Sequence, residues 1–250
     1  MSAPGRPPPP ADAPRVLFIT RKWPPAVGGM ETYSAELAAA LAPRLQLEVA
    51  ALPGRPDGQP PGAVALLGFG LRQGWRVLTR GGALDAVHGG DMAIWPLVAL
   101  SRLGGRPAPL LSAHGTDVGF AFRPGFRPAL YRAYMRLGAR LAGRPRVIAN
   151  SEATARHARA LGFGRIAVVP LGCRVAEAPP AQATAHGLAP GRFVLFAGRL
   201  VRRKGLGWFV REVLPGLPGG LELAVAGTVW DRSEAEALAA PGVRWLGPLA

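Results

Sequence analysis

Short β-branched or apolar runs alternate along this chain with longer stretches of helical period, and that alternation narrows the fold more than any other feature of the sequence. A strand, a covering helix and a second strand in the same direction make a βαβ unit. The pattern therefore predicts an α/β fold with parallel sheets covered by helices. The candidate strands are Val16–Thr20, Leu47–Leu52, Val64–Leu67, Ala86–His88, Leu110–Ala113, Val147–Asn150 and Ile166–Val169. A helix fits Glu31–Leu41, where Tyr33, Leu37 and Ala40 or Leu41 share one stripe. Another starts after Ser151, which follows a strand directly and can cap EATARHARAL.

The pattern divides the chain. Residues 1–14 read MSAPGRPPPPADAP, a proline-rich arm with no apolar centre of the kind a signal peptide has. Residues 15–173 hold the first run of strands and helices. Residues 174–192 (RVAEAPPAQATAHGLAPGR) lose the apolar period and read as a linker. Residues 193–250 restart it with strand Phe193–Ala197, a helix near Gly207–Leu214, strand Leu221–Ala226, helix Ser233–Ala239 and strand Val243–Trp245. So few βα units leave an unpaired apolar edge, so the second domain is expected to be incomplete in this chain.

Composition removes several classes. With 250 residues, 49% of them apolar, a full core can be buried, and no run approaches the roughly 18 apolar residues of a membrane span. Cys173 is the one cysteine, so no internal disulfide forms and a cytoplasmic setting is expected. Its sequence neighbours include no base to activate a catalytic thiol. The net charge of +15 would suit a nucleic-acid or anionic-membrane partner. Yet only Lys22 and Lys204 are lysines, and the bias to arginine together with Ala, Gly and Pro has a compositional origin as well. The arginines are spread without a recognised module and the tryptophans without a repeat, so nucleic acid is not an expected partner.

Two segments carry chemistry. In RVLFITRKWPPAVGGMETYSAEL, Gly28 and Gly29 sit where a loop enters a helix, so backbone can approach a ligand closely. A plain tight turn explains the same pair equally well. In FVLFAGRLVRRKGLGWF, Gly198 and Arg199 follow a strand and Lys204 and Gly205 precede a helix. A guanidinium and an ammonium flanking such a loop can bind a pyrophosphate and stabilise the charge that builds on it as it leaves. Arg202 and Arg203 keep open the alternative of a solvated basic loop.

Taken in order, the Pro24, Pro25, Gly28, Gly29 and Glu31 loop, HGTD at His114–Asp117, VIANSEAT at Val147–Thr154, IAVVPLG at Ile166–Gly172, GRLVRRKG at Gly198–Gly205 and the AVAG and VRWLG strands resemble the retaining family 4 glycosyltransferases. The resemblance implies a GT-B fold, two Rossmann-like domains facing across a cleft, and transfer of a sugar from a nucleotide-sugar donor. It implies that Arg199 and Lys204 meet the donor diphosphate and that Gly28 and Gly29 close over the ligands. It also implies that His114 lies near the transferred sugar, against the bland alternative of a strand-end histidine. Glu31, His88 and Asp117 are candidates to line the acceptor side, although His88 suits a structural role and Asp117 an ordinary turn or cap as well. His157 and His186 read as helix-surface and linker residues.

No Asp-x-Asp and no cluster at metal-ligand spacing occurs, so no metal and no cofactor beyond the donor co-substrate is expected. The family's pair of glutamates eight positions apart is not reached before Ala250, and Glu234 and Glu236, two apart, do not replace it. A non-catalytic chain keeping the fold is therefore the second reading. The acceptor, whether lipid, glycan or small molecule, is not readable, and a role in cell-envelope or polysaccharide synthesis is the family expectation. On a helix from about Arg127, Leu130, Tyr134, Leu137 and Leu141 form one row while Arg132, Arg136, Arg140 and Arg144 form another. Either the apolar row packs on the sheet, or the helix lies on an anionic membrane surface, which would place the protein at the inner face of the membrane.

Overall fold

The computed structural model describes residues 8–55, 59–105, 107–172 and 184–249. Contacts divide the chain into two compact units, Met1–Gly172 and Cys173–Ala250. Cys173 and much of the expected linker lie outside the described residues.

The first unit is a parallel sheet of β1 (Arg15–Thr20), β2 (Gln46–Ala51), β3 (Ala86–Gly89), β4 (Ala108–Ala113), β5 (Arg146–Ala149) and β6 (Arg165–Val168) in the order β2-β1-β3-β4-β5-β6. Its helices are α1 (Gly29–Leu41), α2 (Ala63–Arg80), α3 (Trp95–Leu100), α4 (Gly115–Phe120), α5 (Phe126–Leu141) and α6 (Glu152–Ala160). The chain steps one way from β1 to β2 and the other way at every later crossover. Right-handed connections then place α1 on one face and α2, α3, α5 and α6 on the other. The reversal beside β1 opens a crevice at the carboxyl ends of β1 and β3, where sheets of this kind bind ligands. Leu17, Ile19, Val87, Leu111 and Val147 fill the core beneath it.

Two sequence expectations need correction, and one alternative left open by the sequence is narrowed. Val64–Leu67 is not a strand but the first turn of α2: the apolar residues from Val64 to Leu78 recur at helical spacing, and a short apolar run cannot show that by itself. In α1 the expected stripe is rotated. Glu31, Ser34 and Ala38 are buried, while Tyr33 and Leu37 are half-buried and Ala40 is exposed. The small Ser34 and Ala38 let the helix approach the sheet, and Ser34 Oγ lies 3.3 Å from Thr20 Oγ1. In α5 the apolar row does not pack on the sheet. Pro128, Met135 and Gly138 face inward, Tyr134 is half-buried, and Leu130, Leu137 and Leu141 are exposed. Gly138 sets this rotation, because a Cβ there would come within 2.7 Å of the Trp95 ring.

The cap at Ser151 forms as expected, its Oγ accepting from Thr154 N–H at 3.2 Å. The second unit is a three-stranded parallel sheet, β7 (Phe193–Ala197), β8 (Glu222–Ala226) and β9 (Val243–Gly247), in that order. It carries α7 (Leu206–Glu212) and the short α8 (Arg232–Ala235), which tightens into a 3₁₀ turn over Glu236–Ala239. Leu200, Leu206, Leu223 and Val225 form its core.

Candidate functional site

The carboxyl ends of β1, β3 and β4 gather most of the first unit's buried polar side chains. His114 follows β4 and is nearly buried, its ring meeting Tyr33 of α1 edge-on with centroids 4.9 Å apart. His114 Nε2 lies 3.1 Å from the Gly90 carbonyl oxygen. A carbonyl only accepts, so Nε2 carries the proton and Nδ1 is left with a lone pair. Burial holds the His114 pKa below its ordinary value, against the carbonyl contact and the charges of Asp91 and Glu31, which favour the cation. The ring is thus a neutral acceptor at neutral pH.

Two features hold Gly90 in place. A Cβ at Gly90 would come within 2.8 Å of Thr20 Cβ, and one at Gly89 within 2.7 Å of Leu111 Cδ2, so only glycines fit this close crossing. Asp91, fully buried, then caps the turn after β3 by accepting from Ala93 N–H at 2.9 Å. Its other oxygen accepts from Arg21 Nε at 2.9 Å. Burial disfavours the Arg21 charge, but the field and hydrogen bond of Asp91 outweigh it and raise the pKa.

Asp117 braces the same corner. Its Oδ1 accepts from the N–H groups of His114 at 2.8 Å and Val118 at 2.7 Å, and Oδ2 from Met92 N–H at 3.1 Å. Burial, with help from the charge of Asp91, pushes its pKa up to about 7 although those three donors pull it down. Its oxygens are committed to backbone, so Asp117 ties β4 to the turn after β3 and does not offer the free lining group the sequence suggested.

His88 is corrected likewise. It is 4% exposed, lies 2.9 Å through Nε2 from Ser112 Oγ, and packs against Phe18 at 5.1 Å. Burial, with a smaller contribution from His114, lowers its pKa to about 4. It is a neutral core histidine under the site. Glu31 is also buried, and its carboxylate lies 3.6 Å from Lys22 Nζ.

Gly28 and Gly29 enter α1 on this side. Gly28 has an extended backbone (φ 171°), so strain does not demand glycine there, and a Cβ at Gly29 would meet nothing within 4 Å. The open space over the loop is what a closely approaching ligand would need.

In the second unit, the ends of β7 and β8 come together even more tightly. A Cβ at Gly227 would fall 2.0 Å from the Gly198 carbonyl oxygen, and both glycines have positive φ (144° and 138°). Leu200 N–H donates to Thr228 O at 2.9 Å and Trp230 N–H to Leu200 O at 3.1 Å, which extends the pairing past the strand ends. Arg199 leaves this crossing half-buried, with its guanidinium carbon 4.7 Å from the Trp230 ring centroid. Lys204 ends the exposed turn Arg202–Lys204, and Gly205 adopts the left-handed φ of 78° that starts α7. Glu234, buried, accepts from Gly207 N–H at 2.9 Å, so it is a structural brace.

Sequence reading missed Arg21, Asp91, Gly90 and Trp230. The HGGD run at the end of β3 carried the signal for two of them, since paired glycines and an acid at a strand end mark close backbone crossing and a cap. Among the described residues, no three His, Cys, Asp or Glu side chains gather as a metal-holding group, and no helix is long and apolar enough to cross a membrane.

Comparison with solved structures finds the same fold at low identity. Anabaena Alr3699/HepE in complex with UDP and glucose is 16% identical, with a TM-score of 0.63 over 95% of this chain and 70% of that one. Sucrose-phosphate synthase from Thermosynechococcus elongatus is 16% identical, with a TM-score of 0.69 over 94% and 71%. The lipopolysaccharide outer core galactosyltransferase WaaB, also 16% identical, gives 0.58 over 94% and 68%. These are GT-B architectures, as the sequence led us to expect. No curated protein matches the sequence. The model of the family described as Glycosyltransferase Family 4 matches residues 27–177, more than half of the chain. With its parallel sheets and strand-end sites, the chain belongs to Glycosyltransferase Family 4.

Proposed function

We propose that the protein transfers a hexose from a nucleotide-sugar to an acceptor, with retention at the anomeric carbon and without a metal ion. The observation that carries this is the placement of Arg199 and Lys204 around the loop that leaves β7, in a chain of this family. Fixed cations there neutralise the charge that grows on the diphosphate as the sugar departs, which is the work a divalent ion does elsewhere. Alr3699/HepE was solved with UDP-glucose, so a uridine nucleotide is the first donor to try.

In the first unit, His114 meets the transferred sugar. Its Nδ1 lone pair accepts from a sugar hydroxyl, and a neutral ring does not repel positive charge developing at the anomeric carbon. Gly28 and Gly29 give backbone close access to the ligands. The acceptor belongs to envelope or polysaccharide synthesis, and the exposed apolar row and arginines of α5 support a peripheral position on the anionic inner face of the membrane.

The test is turnover of UDP-glucose in excess EDTA, with the anomeric configuration of the product read by NMR, beside calorimetric titration of UDP. We expect retained configuration and undiminished turnover in EDTA. Loss of activity restored by manganese would overturn metal independence, and an inverted product would overturn retention. UDP binding without turnover on any acceptor would favour the non-catalytic reading.

A further inference from the structure

Helix α2 is apolar on two sides: Phe69 and Val77 are buried in the core, and a second row faces outward. Val64, Leu67, Leu71 and Trp75 are 87%, 66%, 69% and 72% exposed and, with Leu78, recur at steps of three and four along one side. Meanwhile Gln73 faces inward and its Oε1 is buried with no hydrogen-bond partner among the described residues. A helix that only covered a sheet would need the inner row of Phe69 and Val77 and not the outer one. The stripe is therefore dressed for something other than water.

Two further observations say what. First, α2 and α5 lie on the same face of the sheet and contain no aspartate or glutamate. Arg72, Arg80, Arg136 and Arg140 are exposed along them, while Arg76 is paired with Glu48 of β2. Second, the stripe runs into a groove of about 330 Å³. Leu67 and Leu71 of α2, Tyr134 of α5, and Ile94 and Leu97 line it. Arg21 also lines this groove. Asp91 binds its Nε, the guanidinium makes no other hydrogen bond among the described residues, and the side chain keeps 29% exposure. Because Arg21 directly follows β1, the groove opens beside the site at the strand ends.

We propose that the α2–α5 face binds an anionic lipid of a bilayer surface, with Leu67, Leu71 and Trp75 dipped among the chains and a lipid's anionic head drawn along the groove to Arg21. This deepens the transferase reading and rests on it in one respect: it makes the acceptor a membrane-borne anionic amphiphile. Apolar walls ending in one cation suit such a molecule. They suit a free sugar poorly, because its hydroxyls would find few partners there.

The experiment is co-sedimentation of the full chain with vesicles of phosphatidylcholine alone or with added phosphatidylglycerol. A parallel thermal-shift series uses dodecyl phosphate and inorganic phosphate. We expect about tenfold tighter binding to the anionic vesicles, and its loss in a Leu67→Ser, Leu71→Ser, Trp75→Ser variant. The three side chains are exposed, so that variant should melt as the parent does; a Leu130→Ser, Leu137→Ser variant should bind more weakly than the parent yet better than the α2 variant. Dodecyl phosphate should raise the melting temperature of the parent and not of the α2 variant, and inorganic phosphate should do neither.

Equal binding to neutral and anionic vesicles, unchanged binding by the α2 variant, or equal stabilisation by inorganic phosphate would overturn the proposal. So would concentration-dependent dimerisation abolished by the α2 changes, since the face would then cover a second copy. UDP titration reads the second unit independently, so a failed lipid result leaves the donor assignment standing, and the reverse holds.

Discussion

The guanidinium of Arg199 lies over the face of the Trp230 ring, 4.7 Å from its centroid, at the crossing where β7 and β8 end. An arginine leaving a strand end would otherwise sample many rotamers, and the indole narrows that choice before any ligand arrives. Binding a diphosphate then costs less ordering entropy. Replacing Trp230 with Leu should weaken UDP binding about two- to fivefold, the effect of roughly 0.5–1 kcal/mol from an exposed cation–π contact. Trp230→Phe should fall between. Equal affinities across the three proteins, measured by calorimetry, would show that the stacking does not position Arg199.

Removing the cations themselves should cost more. Arg199→Ala and Lys204→Ala are each expected to lower kcat/KM by the equivalent of about 2–4 kcal/mol. Arg202→Ala and Arg203→Ala, on the exposed turn between them, should fall well short of that. The comparison separates a fixed diphosphate site from a generally basic loop, in which all four changes would give similar losses.

The alternation of strands and helices and the position of Arg199 and Lys204 after β7 were legible because each rests on local pattern. What the sequence hid was rotation and long-range pairing. Nothing local says that α1 buries Ser34 while Tyr33 turns toward His114, or that α2 sends Leu71 outward and Gln73 inward, because an amphipathic period does not name the side that faces the sheet. His88 looked like a cleft residue because it precedes a strand end, yet the register of β3 against β4 sets it on Ser112. Arg21 and Asp91 are seventy positions apart, and only the β1–β3 pairing brings them together.

Gly90 couples packing to chemistry. A methyl group there would press on Thr20 Cβ at 2.8 Å and Phe18 Cζ at 3.1 Å, and it would shift the carbonyl that fixes the His114 tautomer. Gly90→Ala should cost about 1–3 kcal/mol of stability, as overpacking does. It should also lower kcat more than it changes UDP affinity, since the donor cations lie in the other unit. His114→Ala should show the same separation between kcat and UDP affinity. A fall in UDP affinity as large as the fall in kcat, in either variant, would place the histidine with the donor nucleotide and not with the sugar.

Asp117 gives the protein a pH signature. Its pKa is about 7 in the folded chain against an ordinary value of 3.8, so between those limits the folded state holds a proton that the unfolded state has released. The folded state binds more protons across that window, so stability falls as pH rises. The contribution is fully present below about 4 and lost as pH passes 7. His88, lowered to about 4, acts in the opposite sense: its contribution is present above 6.5 and lost as pH falls through 4. Subtracting a variant from the parent isolates one group. Asp117→Asn cannot ionise, keeps an oxygen for His114 and Val118, and loses one acceptor for Met92, a penalty of about 1 kcal/mol independent of pH. The melting-temperature difference, parent minus variant, should therefore be largest near pH 4.5 and shrink steadily toward pH 8 by calorimetry, the window set by the pKa near 7. A difference that is flat or grows with pH would mean that Asp117 is ionised throughout, its three backbone donors outweighing burial and the neighbouring charge of Asp91.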